Sequence, residues 1–167
     1  MATPGIEDTF DVANPLDVVE ELVSSNQWPF DRTGDDELSV CVQGSWCDYN
    51  LGFSFAEGQG TLQVACAYDT RIPKHRLAEV HALLALVNER MFLGHFDVWS
   101  EDGTPMFRHA LLVRGGPAPT PAQVGAMIDI ALSECERYYP AFQYVLWGGK
   151  SAREAMDAAM LETQGEA

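Results

Sequence analysis

Three consecutive segments alternate apolar and polar residues with a period of two, and this restricts the chain to folds built on an antiparallel sheet. Leu38, Val40, Val42 and Trp46 alternate with Ser39, Cys41 and Gln43 over residues 38–46. Tyr49, Leu51, Phe53 and Phe55 alternate with Asn50, Gly52 and Ser54. Leu62, Val64, Cys66 and Tyr68 share one side of a third segment starting at Thr61. Residues at i, i+2 and i+4 line one face of a strand, so each segment has a core side. Gly34, Asp35 and Asp36 mark a turn before the first segment, and Glu57–Gly60 supplies a hairpin loop between the second and third. Links this short give an antiparallel meander. Two further strands, His95–Ser100 and Met106–Val113, flank an Asp102-Gly103 hairpin signal. Trp28–Arg32, which contains Pro29, reads as a short edge segment.

Between these strands lie stretches with helical periodicity. Asn14 is a good N-cap, Pro15 suits the first helical position, and Leu16, Val19, Leu22 and Val23 form a stripe that stops near Asn26. A second helix is predicted from about Lys74 to Leu93. Its stripe is Leu77, Val80, Leu84, Val87 and Met91, widened by Leu83, Leu86 and Phe92, with Gly94 as the terminating glycine. After a Gly115–Pro119 linker, Thr120, Pro121 and Gln123 match a capping box. The helix they open carries Val124, Ile128, Ala131, Leu132, Cys135 and Tyr139 inward and is expected to end at Pro140. Ala141–Trp147 fits helix or strand. Ser151 with Glu154 opens a last helix through about Glu162. The expectation is an α+β domain of two layers over residues 14–167: about five antiparallel strands with helices on one face, preceded by a flexible acidic arm over residues 1–13.

Charge and motif spacing narrow the function classes. A formal net charge of −15 opposes nucleic-acid backbones and anionic membranes. No apolar run reaches the ~18 residues of a membrane span, and the N-terminus lacks a secretory apolar region, so a cytoplasmic location is expected. The four cysteines form no close pair of the kind structural zinc sites use, and His75 and His81 fall on different sides of a helix. Gly148-Gly149-Lys150-Ser151 fails the phosphate-loop pattern, because Tyr144 stands where a glycine is required. No catalytic residue, metal ligand or cofactor is expected. The candidate functional residues are those of a polar or interaction patch. His95, Asp97, Arg108 and His109 lie on paired hairpin strands, where a cross-strand salt bridge competes with a binding role. Trp99, beside the hairpin turn, and Trp147, before two glycines, are candidate interface anchors.

The segments GSWCDYNLGFSF, VNERMFLGHFDVW, MFRHALLV, CERYYPAF and EAMDAAMLETQGEA together resemble the YbjN-domain family, described as bacterial sensory transduction regulators. The resemblance covers most of residues 14–167. It implies a fold similar to type III secretion chaperones and a non-enzymatic regulatory or chaperone-like role, with no catalytic residue to carry over. Val87–Gly94 and Tyr138–Phe142 match the family pattern and are read as structural. The expected function is a homodimeric protein-interaction module that binds a partner segment on its sheet or first helix. The alternative is a small-molecule sensor or small enzyme with a pocket between sheet and helices. Dimerisation is also expected from the chain itself, because Leu38, Val40 and Val42 alternate with Cys41, and Phe96 and Val98 with Trp99, as though both strand faces were apolar.

Overall fold

The computed structural model describes residues 13–165; the acidic arm lies almost wholly outside them. Six strands form one sheet: β1 (Phe30–Thr33), β2 (Glu37–Gln43), β3 (Asp48–Ala56), β4 (Thr61–Ala67), β5 (His95–Val98) and β6 (Pro105–Leu112). Their spatial order is β1-β2-β3-β4-β6-β5, with every neighbouring pair antiparallel. The strand beyond the expected five is β1, the short edge segment beside Pro29. Among the described residues four α-helices complete the fold: α1 (Pro15–Ser25), α2 (Leu77–Asn88), α3 (Pro121–Leu146) and α4 (Ala152–Gly165). The architecture is therefore a two-layer α+β domain.

Register shows how period-two patterning sorts the two faces. Val40, Leu51, Cys66, Phe107 and Phe96 form one row across five strands, and all are buried. The next row, Ser39, Gly52, Ala65, Arg108 and His95, points the other way. Helices α1, α2 and α3 contact the sheet, and α4 packs on α2 and α3. One continuous cluster of buried side chains fills the space between sheet and helices. The outward row is small and polar. The expectation that both faces are apolar is therefore wrong, because the alternation is clean in β2 to β4.

Helix α2 stops at Asn88, five residues before Leu93. The cause is the Asn88 side chain. Its Nδ2 donates to the Phe96 carbonyl (3.1 Å), and its Oδ1 accepts from the Phe96 amide (2.8 Å). These bonds mimic a neighbouring strand and satisfy the outer edge of β5, while the Val98 amide donates to Asp97 (2.8 Å). The chain then needs a loop, and Phe92 and Leu93 project from it with 103% and 50% relative exposure instead of joining the stripe. Asn88→Ala should cost about 1–3 kcal/mol, since two backbone groups lose their partners. It should also bare a strand edge that promotes aggregation. Chemical denaturation and light scattering would show both effects; an unchanged midpoint would contradict this account of the edge.

Pro140 does not end α3, which continues to Leu146. A proline inside a helix costs roughly 3 kcal/mol, through a missing amide and a clash with the carbonyl four residues back. Continuing buries Phe142 and Val145 completely, each worth about 1.5–3 kcal/mol. Burial therefore outweighs the break. The junction with α4 is held by two charged side chains near the start of α2. Arg76 donates to the Val145 carbonyl (2.9 and 2.7 Å) and the Lys150 carbonyl (3.1 Å), while the Ala152 amide donates to Glu79 (3.0 Å). A cation at the end of α3 and an anion at the start of α4 both suit the helix dipoles.

Trp46 lies outside β2, on the loop to β3. Glu136 of α3 accepts the Ser45 amide (2.6 Å), which ties this loop down. The Trp46 ring stacks on Tyr139 at 5.9 Å and 13°. Deeper in, the Tyr68 hydroxyl donates to the Cys135 carbonyl (2.7 Å). The Tyr49 hydroxyl is buried beside the Cys47 thiol, a weak partner, with no oxygen or nitrogen partner among the described residues, and burial pushes its pKa up. An unsatisfied buried hydroxyl costs about 1–3 kcal/mol, and a thiol offsets little of that. Tyr49→Phe should therefore raise stability by about 1 kcal/mol, read as a higher denaturation midpoint. A lower midpoint would mean that the hydroxyl is satisfied.

Candidate binding face on the open sheet

With all helices on one side, the other face of the sheet is uncovered. It carries a depression of about 650 Å³ over β3, β4, β6 and β5. Gly52, which has no side chain, and the methyl groups of Ala65 and Ala110 form its floor, while Trp99, Met106, Arg108 and His95 rise around it. Gly52 faces open space, with no atom within 4 Å of where a Cβ would stand. Trp99 is held by the hairpin turn: its amide donates to the Thr104 carbonyl (2.8 Å), and its carbonyl accepts from the Gly103 amide (2.8 Å). The Asp102 carboxylate lies below its usual pKa, chiefly through its hydrogen bonds with Thr104.

The candidate patch residues divide between locations. His95 and Arg108 are directly opposite on β5 and β6. Asp97 approaches Arg108 diagonally, 3.5 Å from carboxylate oxygen to guanidinium nitrogen, with 48% and 40% side-chain exposure. A pair this exposed contributes at most about 1 kcal/mol. Trp99 borders the same depression and is 46% exposed. His109 belongs to the opposite row, paired with the buried Val64, yet it also borders the depression. Its pKa is lowered, first by burial and then by repulsion from His95. Trp147, 77% exposed, caps the end of α3 and does not line the depression. Sequence reasoning missed Gly52, Ala65, Ala110, Thr104 and Met106. They come from β3, β4, β6 and the turn before β6, and meet only through the sheet order.

Cys66 and Cys135 are buried, and burial pushes the Cys135 thiol up, which disfavours the reactive thiolate. Among the described residues no three His, Cys, Asp or Glu side chains group as a metal cluster, and no helix is long and apolar enough to cross a membrane. A second concavity of about 870 Å³ lies beside Trp46, Tyr139 and Tyr144, where the Tyr144 hydroxyl bonds to Glu162.

An open antiparallel sheet backed by helices on one side, with a concave open face, defines a domain of the α+β class. The chain belongs to the YbjN family: residues 15–144 match the family described as "Putative bacterial sensory transduction regulator". That description is of a regulator, not an enzyme. Among solved structures, the chain is similar to the crystal structure of YbjN from E. coli, titled "a putative transcription regulator". The TM-score is 0.53 at 11% identity, covering 72% of this chain and 85% of that one, a likeness of fold. No curated protein matches the sequence.

Proposed function

We propose that this protein is a non-enzymatic regulatory, chaperone-like module that binds a protein segment across its open sheet face. The observation that carries this reading is the asymmetry of the fold. Six strands are covered by helices on one side only, and the exposed side is concave where Trp99, His95 and Arg108 stand above a floor of small residues. Strand addition at β5 is disfavoured, because Asn88 and Asp97 already occupy the Phe96 and Val98 edge groups. A face with aromatic and Arg anchors above small residues suits side-chain recognition. Self-association belongs to the same proposal. At a net charge of −15 like subunits repel, so a homodimer should tighten as salt screens charges beyond ~8 Å. Its sedimentation in low and physiological salt reads this directly.

The face itself is tested by placing a photo-reactive amino acid at position 52 on the sheet, or at position 81 on the exposed side of α2, in the native host. The expected result is one defined crosslinked protein, a second copy or a distinct partner, from position 52 only. Crosslinking from position 81 with none from position 52 would overturn the proposal.

A further inference from the structure

The depression on the open face has features that a flat protein contact does not need. Arg108 makes one long ion pair, through Nη1 to Asp97 at 3.5 Å. Its other guanidinium N–H groups have no partner among the described residues. Trp99 pairs with Thr104 across the hairpin, and Thr104, just before β6, precedes Arg108 by four residues, about 13 Å of extended chain. Met106 lies midway and points the same way. An apolar ring surface, a flexible thioether and a half-free guanidinium thus line up along β6, and the small floor residues leave room beside them.

We propose that this trough binds a small organic anion with a flat apolar body. Its carboxylate would meet Arg108, with His95 directly opposite on β5, and its body would lie over Met106 against Trp99. Charge-assisted, bidentate pairing is what a guanidinium supplies to a carboxylate. Aromatic rings and thioethers favour flat apolar groups. The chain's net negative charge does not forbid a small anion, since charges beyond ~8 Å are screened at physiological salt. This anion would occupy the same Trp99, Arg108 and His95 that the protein-partner reading uses, so the two would compete; the titration is run without a protein partner, and its failure leaves that reading standing.

The probe is 2-naphthoate, with the uncharged 2-naphthamide as control, titrated into the full chain by calorimetry. The expected result is saturable one-to-one binding of naphthoate and at least tenfold weaker binding of the amide. Arg108→Gln should weaken naphthoate by about tenfold or more. Asp97→Asn should strengthen it, because the competing carboxylate is gone; a merely structural ion pair would make both variants bind alike. Gly52→Val projects into open space two strands from Arg108, so it should keep the native melting temperature and naphthoate affinity within about threefold of wild type. Trp99→Phe should remove the ligand-dependent quenching of tryptophan fluorescence. Equal binding of acid and amide, absence of binding, or naphthoate affinity unaltered by Arg108→Gln would overturn the proposal.

Discussion

Phe96→Ala should destabilise the protein by about 3–5 kcal/mol, the cost of truncating a fully buried ring. Phe96 sits on β5, a four-residue edge strand, yet it is only 1% exposed. Its ring lies 5.6 Å from Phe107, 5.6 Å from Phe142, 5.8 Å from Tyr138 and 6.1 Å from Tyr68. Two of these neighbours come from α3 beside Pro140, so one ring joins the sheet edge to the helix layer. Offset and edge-on contacts of this kind add about 0.5–1.5 kcal/mol per pair beyond area burial. The loss should appear as a large drop in the denaturant midpoint with little change in slope. A cost below about 1 kcal/mol would show that the cluster relaxes around the void.

Gly94→Ala should cost about 2–4 kcal/mol, more than conformation alone would give. Gly94 has φ +72°, a region that alanine enters at a penalty of about 1 kcal/mol. An added Cβ would also strike the Phe107 ring and lie 2.8 Å from the Arg108 carbonyl. Overpacking against a buried ring adds about 1–3 kcal/mol. Thermal and chemical melting would both register the loss, and a stability within 0.5 kcal/mol of wild type, a threshold typical of harmless surface changes, would contradict the close approach.

Gly94 also shows what the sequence reveals and what it hides. Its φ is positive, but not as the terminating glycine of the helix: α2 stops at Asn88, and Gly94 turns the following loop into β5. Its partner was not legible: the clash is with β6, and lateral register between strands leaves no trace in the period. The Thr120–Gln123 capping box was readable and both its bonds are present (2.9 and 3.1 Å), since its chemistry is local. The end of α2 was misread because Asn88 is fixed by Phe96, eight residues on. Pro140 was misread because local backbone cost was weighed without the distant burial of Phe142 and Val145. The hairpin signal put His95, Asp97, Arg108 and His109 on paired strands, but the register that sets His95 opposite Arg108 and His109 in the other row was not legible. Nor was the floor of the trough, because Gly52, Ala65 and Ala110 come from three strands and meet only through the sheet order.

The central claim is that regulation is exerted through the open sheet face. The most direct measurement is gene expression in the native host after Gly52→Val is placed in the chromosomal copy, compared with deletion of the gene. Position 52 has free space above it, so the variant should accumulate at normal levels as a folded protein. The account predicts that it nevertheless reproduces the deletion profile. A wild-type profile from Gly52→Val, alongside a deletion profile from a folded variant altered only on the helix layer, would contradict it.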